Sequence, residues 1–164
     1  MRISFLYLFL SVSIVFSGCI KNDTGCAYKD NNLIAPSSEE QAVLNYITSN
    51  GISATKHGSN MYYEIVNTGS GGSPDVCSRV TVSYSGKLTN GTEFDKQSNY
   101  VFVLGSLIEG WKKGLPLIQK GGRIKLYIPP SLGYGTIDVK DQSGTIIIPA
   151  NSVIIFDITL VSFE

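Results

Sequence analysis

Apolar and polar side chains alternate along much of this chain, most clearly at residues 80–84, 100–104, 124–128 and 154–160. A period of two is typical of strands that bury one face. Residues 62–66 form a further β-rich run, and Asn90-Gly91 between two of the runs is a hairpin signal. These patterns predict an antiparallel sheet of five to six strands.

One stretch between the strands has helical spacing instead. Trp111, Leu115 and Ile118 would share one side of a helix within residues 108–119, and Pro116 would keep that helix short. Because a sheet with one buried face must be covered, this helix is the internal candidate for the cover. The expected fold class is therefore α+β.

A second short helix is predicted near the N-terminus, over residues 37–49. Ser37 or Ser38 followed by Glu39 and Glu40 is typical of a helix start with a hydroxyl cap. Asn50-Gly51 is a stop signal. We expect this amphipathic helix to be an accessory to the main fold.

The first residues have the composition of an export signal. One positive charge precedes an apolar run at residues 3–16, which is too short for a comfortable membrane span, and small residues then lead to Cys19. The string FSGC resembles the bacterial lipobox, which implies lipidation of Cys19 and a lipid-anchored protein of the cell envelope. Ile20 after the cysteine favours the outer membrane, with the domain facing the periplasm or the surface. The alternative is an ordinary cleaved signal in which Cys19 is incidental.

The cysteine count bears on the same question. The chain has 3 cysteines, an odd number for an exported protein. If Cys19 carries lipid, Cys26 and Cys77 remain as a pair in an oxidising compartment, and we predict a disulfide between them. Two free thiols are the alternative.

Composition excludes several classes of function. A formal net charge of zero without a basic cluster gives no reason to expect nucleic acid as a partner. A nucleophilic triad would depend on His57, which is the single histidine. The chain lacks the CxxC and HExxH spacings, so we expect neither a metal nor a cofactor. Aromatic side chains at strand ends and turns are the remaining candidates, either as plain core packing or as a binding surface.

Residues 82–95 resemble the FKBP signature V-x-Y-x-G-x-L-x-x-G-x-x-F-D. The resemblance continues in order through Leu104-Gly105, Gly110-Trp111, Pro129-Pro130 and the segment 156–160. It identifies the chain as similar to FKBP-type peptidyl-prolyl cis-trans isomerases, in a bacterial lipoprotein form. It implies a half-open antiparallel sheet wrapped around one short helix, with an apolar pocket between them. The expected organisation is a signal peptide at 1–18, a polar tether at 19–36, the accessory helix and linker at 37–60, and the isomerase domain at 61–164.

The same resemblance implies the site residues by matching position. The catalytic set is Tyr84, Phe94, Asp95, Trp111, Tyr134 and Phe156. The substrate-binding set is Tyr100, Leu107, Ile108 and Ile148. Trp111 would lie under the proline ring, and Asp95 would be the polar acceptor of an apolar wall. A long loop at residues 135–146 would lie over the pocket.

The implied substrates are proline-containing unfolded or exported polypeptides, and macrolide inhibitors are implied as candidate ligands. A monomer is expected, because neither the helix at 37–49 nor the glycine-rich turn at 68–74 shows a dimer seam. Two alternatives from other classes stay open. One is an FKBP-fold binding module or holdase chaperone without turnover, and the other is an adhesin-like structural lipoprotein.

Overall fold

The computed structural model describes residues 25–164. The predicted signal peptide and Cys19 lie outside the described residues. The described part contains two α-helices, three short 3₁₀ turns and eight strands. In chain order the helices and strands are α1 Ser37–Ser49, β1 Thr55–Lys56, β2 Tyr62–Asn67, β3 Arg79–Leu88, β4 Glu93–Val103, α2 Glu109–Gly114, β5 Arg123–Ile128, β6 Val139–Lys140, β7 Ile146–Ile148 and β8 Ile154–Phe163.

Six of the strands form one antiparallel sheet in the order β1-β2-β5-β8-β3-β4. β3 and β5 both pair with β8, so the last strand of the chain lies between them. The inward-facing side chains of these three strands are buried, which is the outcome that a period of two predicts. The predicted α+β fold, with a short helix on an antiparallel sheet, is confirmed.

Helix α2 approaches the sheet through its glycines. A Cβ atom on Gly110 would lie 2.5 Å from Cδ1 of Ile128, and one on Gly114 would lie 2.6 Å from Leu126. Because residues at i and i+4 share one helix face, both glycines point at strand β5. The helix therefore lies closer to the sheet than any side chain at these positions would allow, and Trp111 between them is brought into the core.

The helix is short, as its proline predicted: it ends at Gly114, and the chain continues through Pro116 as a 3₁₀ turn at Leu115–Leu117. The β3–β4 hairpin has a longer loop than its Asn90-Gly91 pair suggests, since Leu88 accepts from the N–H of Gly91 and donates to the carbonyl of Thr92. The expected loop at 135–146 contains β6, which pairs with β7 as a separate small sheet.

Helix α1 has the predicted bounds, but the predicted serine cap is wrong. The N-cap residue is Pro36, and no side chain caps the helix. The two acids of the first turn instead make tertiary contacts. Glu39 accepts a bond from the N–H of Ser131 at 2.8 Å, and Glu40 pairs with Lys56 at 2.7 Å.

The apolar side of α1 packs on the outer face of the sheet. Val43 and Ile47 are buried against Tyr62, Tyr127 and Val153. With β1 paired to β2, residues 37–60 are therefore built into the folded unit. Among residues 25–164, no helix is long and apolar enough to cross a bilayer.

Residues 26–35 form a segment that we call the N-terminal strap. A disulfide joins Cys26 to Cys77, with Cα atoms 5.8 Å apart. At the other end Ala35 is buried and its N–H donates to the carbonyl of Ser59 at 3.0 Å. The strap thus lies along the domain between these two attachments.

The close approach of α2 generates a stability prediction. Gly110→Ala should lower the free energy of unfolding by about 1–3 kcal/mol, because its methyl group overlaps Ile128. Urea unfolding of residues 20–164, which include every described residue, measures the change. The matched control is Gly58→Ala, since nothing lies within 4 Å of a Cβ there. Equal effects of the two substitutions would contradict the role assigned to Gly110.

Candidate active site

A small apolar cavity of about 120 Å³ lies between α2 and the inner face of the sheet. Its base consists of buried aromatic side chains from three different elements, and its rim is partly exposed. The lining residues are Tyr84, Asp95, Phe102, Leu107, Ile108, Trp111, Tyr134 and Phe156.

Trp111 is the centre of the aromatic base. Its ring meets Tyr84 edge-on at a centroid distance of 5.0 Å and Phe156 at 5.1 Å, with interplanar angles of 85° and 87°. Phe102 makes a third edge contact at 6.1 Å. Edge-to-face pairs hold aromatic rings in defined orientations, so the indole is fixed from three sides. Its Nε1 atom is buried and has no hydrogen-bond partner among the described residues.

A bulge in β4 places two consecutive side chains on the cavity side of the sheet. The β3–β4 register shifts between Gly86 and Lys87, where two steps of β4 oppose one step of β3. Successive residues of a regular strand point to opposite faces, and a bulge relaxes that rule. Phe94 therefore reaches Phe156, at 5.6 Å between ring centroids, while Asp95 lines the cavity.

Gly86 makes room for this arrangement. A Cβ atom there would lie 2.6 Å from the ring of Phe156 and 2.7 Å from the ring of Phe94. Any side chain would therefore separate the two rings. The glycine of the signature is needed because two aromatic rings meet over its backbone.

Asp95 and Tyr84 form the polar pair of the cavity. The Tyr84 hydroxyl donates to Oδ2 of Asp95 at 2.6 Å. Burial of the hydroxyl, and then the bond to Asp95, raises the pKa of Tyr84 above that of an ordinary tyrosine. The phenol thus stays protonated and keeps one carboxylate oxygen occupied, so Asp95 is held in place at the cavity wall.

Tyr134 and the turn before α2 form the rim. Tyr134 is 39% exposed, and burial of its hydroxyl, with the nearby charge of Asp95, raises its pKa. It lies in a turn in which the N–H groups of its two neighbours, Gly133 and Gly135, both bond to the carbonyl of Pro130. Across the cavity, Leu107 and Ile108 are half-buried, and Ile108 is the N-cap of α2. Both sides of the rim are thus short turns.

Three of the predicted site residues do not line the cavity. Phe94 lies behind Phe156, where it supports that ring. Tyr100 is 49% exposed, and its ring packs at a tilt against that of Phe102, with the ring centroids 4.8 Å apart. Ile148 is buried in the core cluster. The other seven predicted residues come together around the cavity.

Phe102 is the lining residue that sequence reasoning missed. It lies in the same alternating run as Tyr100, and both side chains project toward the inner side of β4. The alternation at residues 100–104 was the available signal, but it does not tell which of two adjacent inward residues reaches the helix. Tyr100 pairs with Val82 and Phe102 with Val80, and it is the ring of Phe102 that reaches Trp111.

The opposite face of the sheet carries a larger but polar hollow of about 820 Å³. Several of its charged groups pair with each other: Arg123 donates two bonds of 2.8 Å to the carboxylate of Asp157, and Lys125 lies 3.8 Å from the carboxylate of Glu64. His57, which a nucleophilic triad would need, is bonded to the hydroxyl of Ser59 and lines neither hollow. The apolar cavity is therefore the stronger candidate site.

Comparison with known proteins finds one matching family and relatives that carry its name. A family model described as FKBP-type peptidyl-prolyl cis-trans isomerase matches residues 71–161. The FKBP-type peptidyl-prolyl cis-trans isomerase FkpA of Buchnera aphidicola subsp. Acyrthosiphon pisum is 42% identical over 125 residues, which cover 74% of this chain and 48% of that protein. The chain spans about half, or less, of the length of the curated relatives it matches.

Two solved structures have similar folds. The crystal structure of FkpA from Escherichia coli matches with a TM-score of 0.66 and 33% identity, over 78% of this chain and 60% of that chain. The structure of a peptidyl-prolyl cis-trans isomerase from Pseudomonas syringae pv. tomato matches with a TM-score of 0.66 and 25% identity, over 79% of this chain and 97% of that chain.

The raised pKa of Tyr84 generates a pH prediction. Below pH about 10 the tyrosine is protonated in both the folded and the unfolded chain, and its stabilising contribution is fully present. As the pH rises further, the unfolded chain loses the proton first, so the free energy of unfolding falls with pH until the folded pKa is passed. Urea unfolding at a series of alkaline pH values measures this slope.

Tyr84→Phe is the matched variant for this experiment. It keeps the ring beside Trp111 and removes the titrating hydroxyl, so its alkaline slope should be shallower than that of the unsubstituted chain. Tyr127 and Tyr134, whose pKa values are also raised, contribute to the slope that remains. Identical slopes for the two proteins would count against the Tyr84 assignment.

Proposed function

The chain belongs to the family of FKBP-type peptidyl-prolyl cis-trans isomerases, and on this premise we propose that it catalyses isomerisation of X-Pro bonds in unfolded or exported polypeptides. The observation that carries the proposal is the cavity itself. Five aromatic and two aliphatic side chains surround a volume suited to one small ring, with a single carboxylate in the wall.

The proposed reaction needs no nucleophile or metal. Rotation about a peptide bond faces a barrier of about 18–20 kcal/mol, because it breaks amide resonance. A twisted amide is less polar at its carbonyl than a planar one, so an apolar cavity suits the twisted form better than water does. An acceleration of about 10⁵-fold requires about 7 kcal/mol of such preference.

Seven of the eight lining residues have a specific place in this mechanism. Trp111 lies under the proline ring, with Phe102 and Phe156 as walls. The Tyr134 hydroxyl and the Ile108 N–H hold peptide carbonyls at the rim. Asp95, oriented by the Tyr84 hydroxyl, faces the region where the amide rotates. The catalytic domain proposed on this basis is residues 61–164.

The proposed location is the cell envelope, with a lipid on Cys19 and the outer membrane as the favoured site. Its support is the apolar N-terminal run and the lipobox-like string before Cys19. The Cys26–Cys77 disulfide adds to it, because disulfides persist in oxidising compartments.

A holdase without turnover is the second candidate function. The observation that favours it is the exposure of apolar side chains at the rim and in the chain segment that follows it, where Tyr134, Ile137 and Ile146 are 39%, 71% and 48% exposed. Such side chains would hold an unfolded client whether or not the cavity turned it over. Macrolide inhibitors, which the family implies as ligands, would compete with substrate only at the cavity.

A proline-coupled protease assay on residues 20–164 separates the two functions. We expect isomerisation to be much faster than the uncatalysed reaction, which takes tens to hundreds of seconds at X-Pro bonds. A rate equal to that of buffer, with unfolded clients still bound, would favour the holdase. A rate equal to buffer without client binding would contradict both.

Phe102 and Tyr100 are a matched pair for testing the cavity assignment. Phe102→Ala removes a wall of the cavity and an edge contact of Trp111, so kcat/KM should fall about tenfold. Tyr100→Ala removes an equally large aromatic side chain outside the cavity, and kcat/KM should change by less than about threefold. The reverse order of effects would contradict the cavity as the site of turnover.

A further inference from the structure

The N-terminal strap contacts the turn that leads into the cavity. A Cβ atom on Gly105 would lie 2.3 Å from Cγ and 2.4 Å from Cβ of Tyr28. The Tyr28 side chain therefore packs directly against the Gly105 backbone, and these two residues leave no space between them. Tyr28 is nevertheless 42% exposed, so it contributes little to the core.

The same turn is bonded to the segment that carries the disulfide. The N–H of Leu104 donates to the carbonyl of Ser78 at 2.9 Å, and that of Gly105 donates to the carbonyl of Val76 at 2.7 Å. Cys77 lies between these acceptors and is linked to Cys26, two residues before Tyr28. The disulfide thus fastens the strap at the point where Tyr28 meets Gly105.

Movement of this turn would reach the cavity directly. Gly105 belongs to the 3₁₀ turn Leu104–Ser106, and the next two residues, Leu107 and Ile108, line the cavity. The carbonyl of Ile108 then accepts the N–H of Trp111 at 3.0 Å. A short covalent path therefore runs from the contact of Tyr28 to the indole.

The strap also holds the far end of α2. Nζ of Lys113, in the last turn of the helix, donates to the carbonyl of Asn31 at 2.7 Å. Beyond it the Asn60 side chain donates to the carbonyl of Ala35 at 2.8 Å. One segment thus contacts the chain before α2 and again at its end, on the side away from the cavity.

We propose that the strap positions the cavity, with Tyr28 as the positioning residue that acts through Gly105 on the Leu107–Ile108 turn and Trp111. The disulfide keeps Tyr28 in contact, so full activity requires oxidised Cys26 and Cys77. The expected effect on turnover rests on the proposed isomerase function. The positioning of the cavity can be measured without turnover, because Trp111 is the only tryptophan of the chain and its fluorescence reports on the cavity.

Tyr28→Ala is the primary test, with Tyr28→Phe as the conservative rescue. In the alanine variant kcat/KM should fall about fivefold, because the turn is no longer held in the productive position. Acrylamide should also quench Trp111 more strongly. The phenylalanine variant keeps the ring over Gly105 and should match the unsubstituted chain. Urea unfolding confirms that each variant is folded under assay conditions.

Gly105→Ala tests the contact from the other side. Its methyl group would displace Tyr28, so the single variant should lose activity and change the emission of Trp111. In the double variant Tyr28→Ala/Gly105→Ala the overlap is gone, and kcat/KM should equal that of Tyr28→Ala alone. Independent, multiplying effects of the two substitutions would overturn the proposed contact.

Reduction tests the role of the disulfide. One equivalent of a dithiol reduces the bond to two thiols and is itself oxidised to a cyclic disulfide, and the product should behave like Tyr28→Ala. Cys26→Ser/Cys77→Ser should have the kcat/KM of the reduced protein, and adding the dithiol should not change it. If the reduced protein and the double serine variant both keep the kcat/KM and the Trp111 emission of the oxidised protein and lose only stability, the strap only stabilises the fold and the proposal is wrong. An oxidised protein without turnover would instead defeat the isomerase function, and quenching would still test the positioning.

Discussion

The contact between helix α2 and strand β5 is the constraint on which the site depends. Gly110 and Gly114 have no side chains to hold the helix away from Ile128 and Leu126, so the helix lies directly on the sheet. Trp111 projects between them and meets rings from β3, β4 and β8 edge-on. A helix further from the sheet would leave the indole without these partners, and the cavity would lose its base.

The cavity combines a rigid apolar base with one fixed polar group. The aromatic side chains that form the base come from separate elements, so their relative positions are set by the whole sheet. Asp95 pairs with Gly86 and reaches the wall, the bulge beside it brings Phe94 to the same side of β4, and the Tyr84 hydroxyl holds the orientation of the carboxylate. This arrangement suits the proposed isomerisation, in which the substrate changes shape and polarity without exchanging atoms.

The N-terminal residues complete the domain on two sides. Helix α1 covers the outer face of the sheet at Tyr62 and Tyr127, and strand β1 extends the sheet edge. The strap runs along the far side of α2 and is joined to the domain by the disulfide and by Asn31 and Ala35. This arrangement brings the first described segment of the chain into contact with the turn beside the cavity, which a free tether would not do.

The sequence determined the strands, the short helix and the family, because periodicity and the ordered signature depend on local spacing. It also brought most of the lining residues into one prediction. It could not separate Phe102 from Tyr100, since both project from the same side of β4 and only the sheet register decides which one meets Trp111. The signature put Phe94 and Asp95 in one site, but alternation alone would place them on opposite faces of β4, because a bulge breaks the period of two.

The N-terminal part shows the same division. Parity of the cysteines suggested the pair Cys26 and Cys77, and the bounds of α1 followed from its stop signal and acidic start. The acids of α1 bond to Lys56 and to Ser131, far away in the chain, which no local cap rule anticipates. Contact of Tyr28 with Gly105 is likewise a meeting of distant segments. Local chemistry decides which elements form, and only the packed chain decides which of their side chains meet.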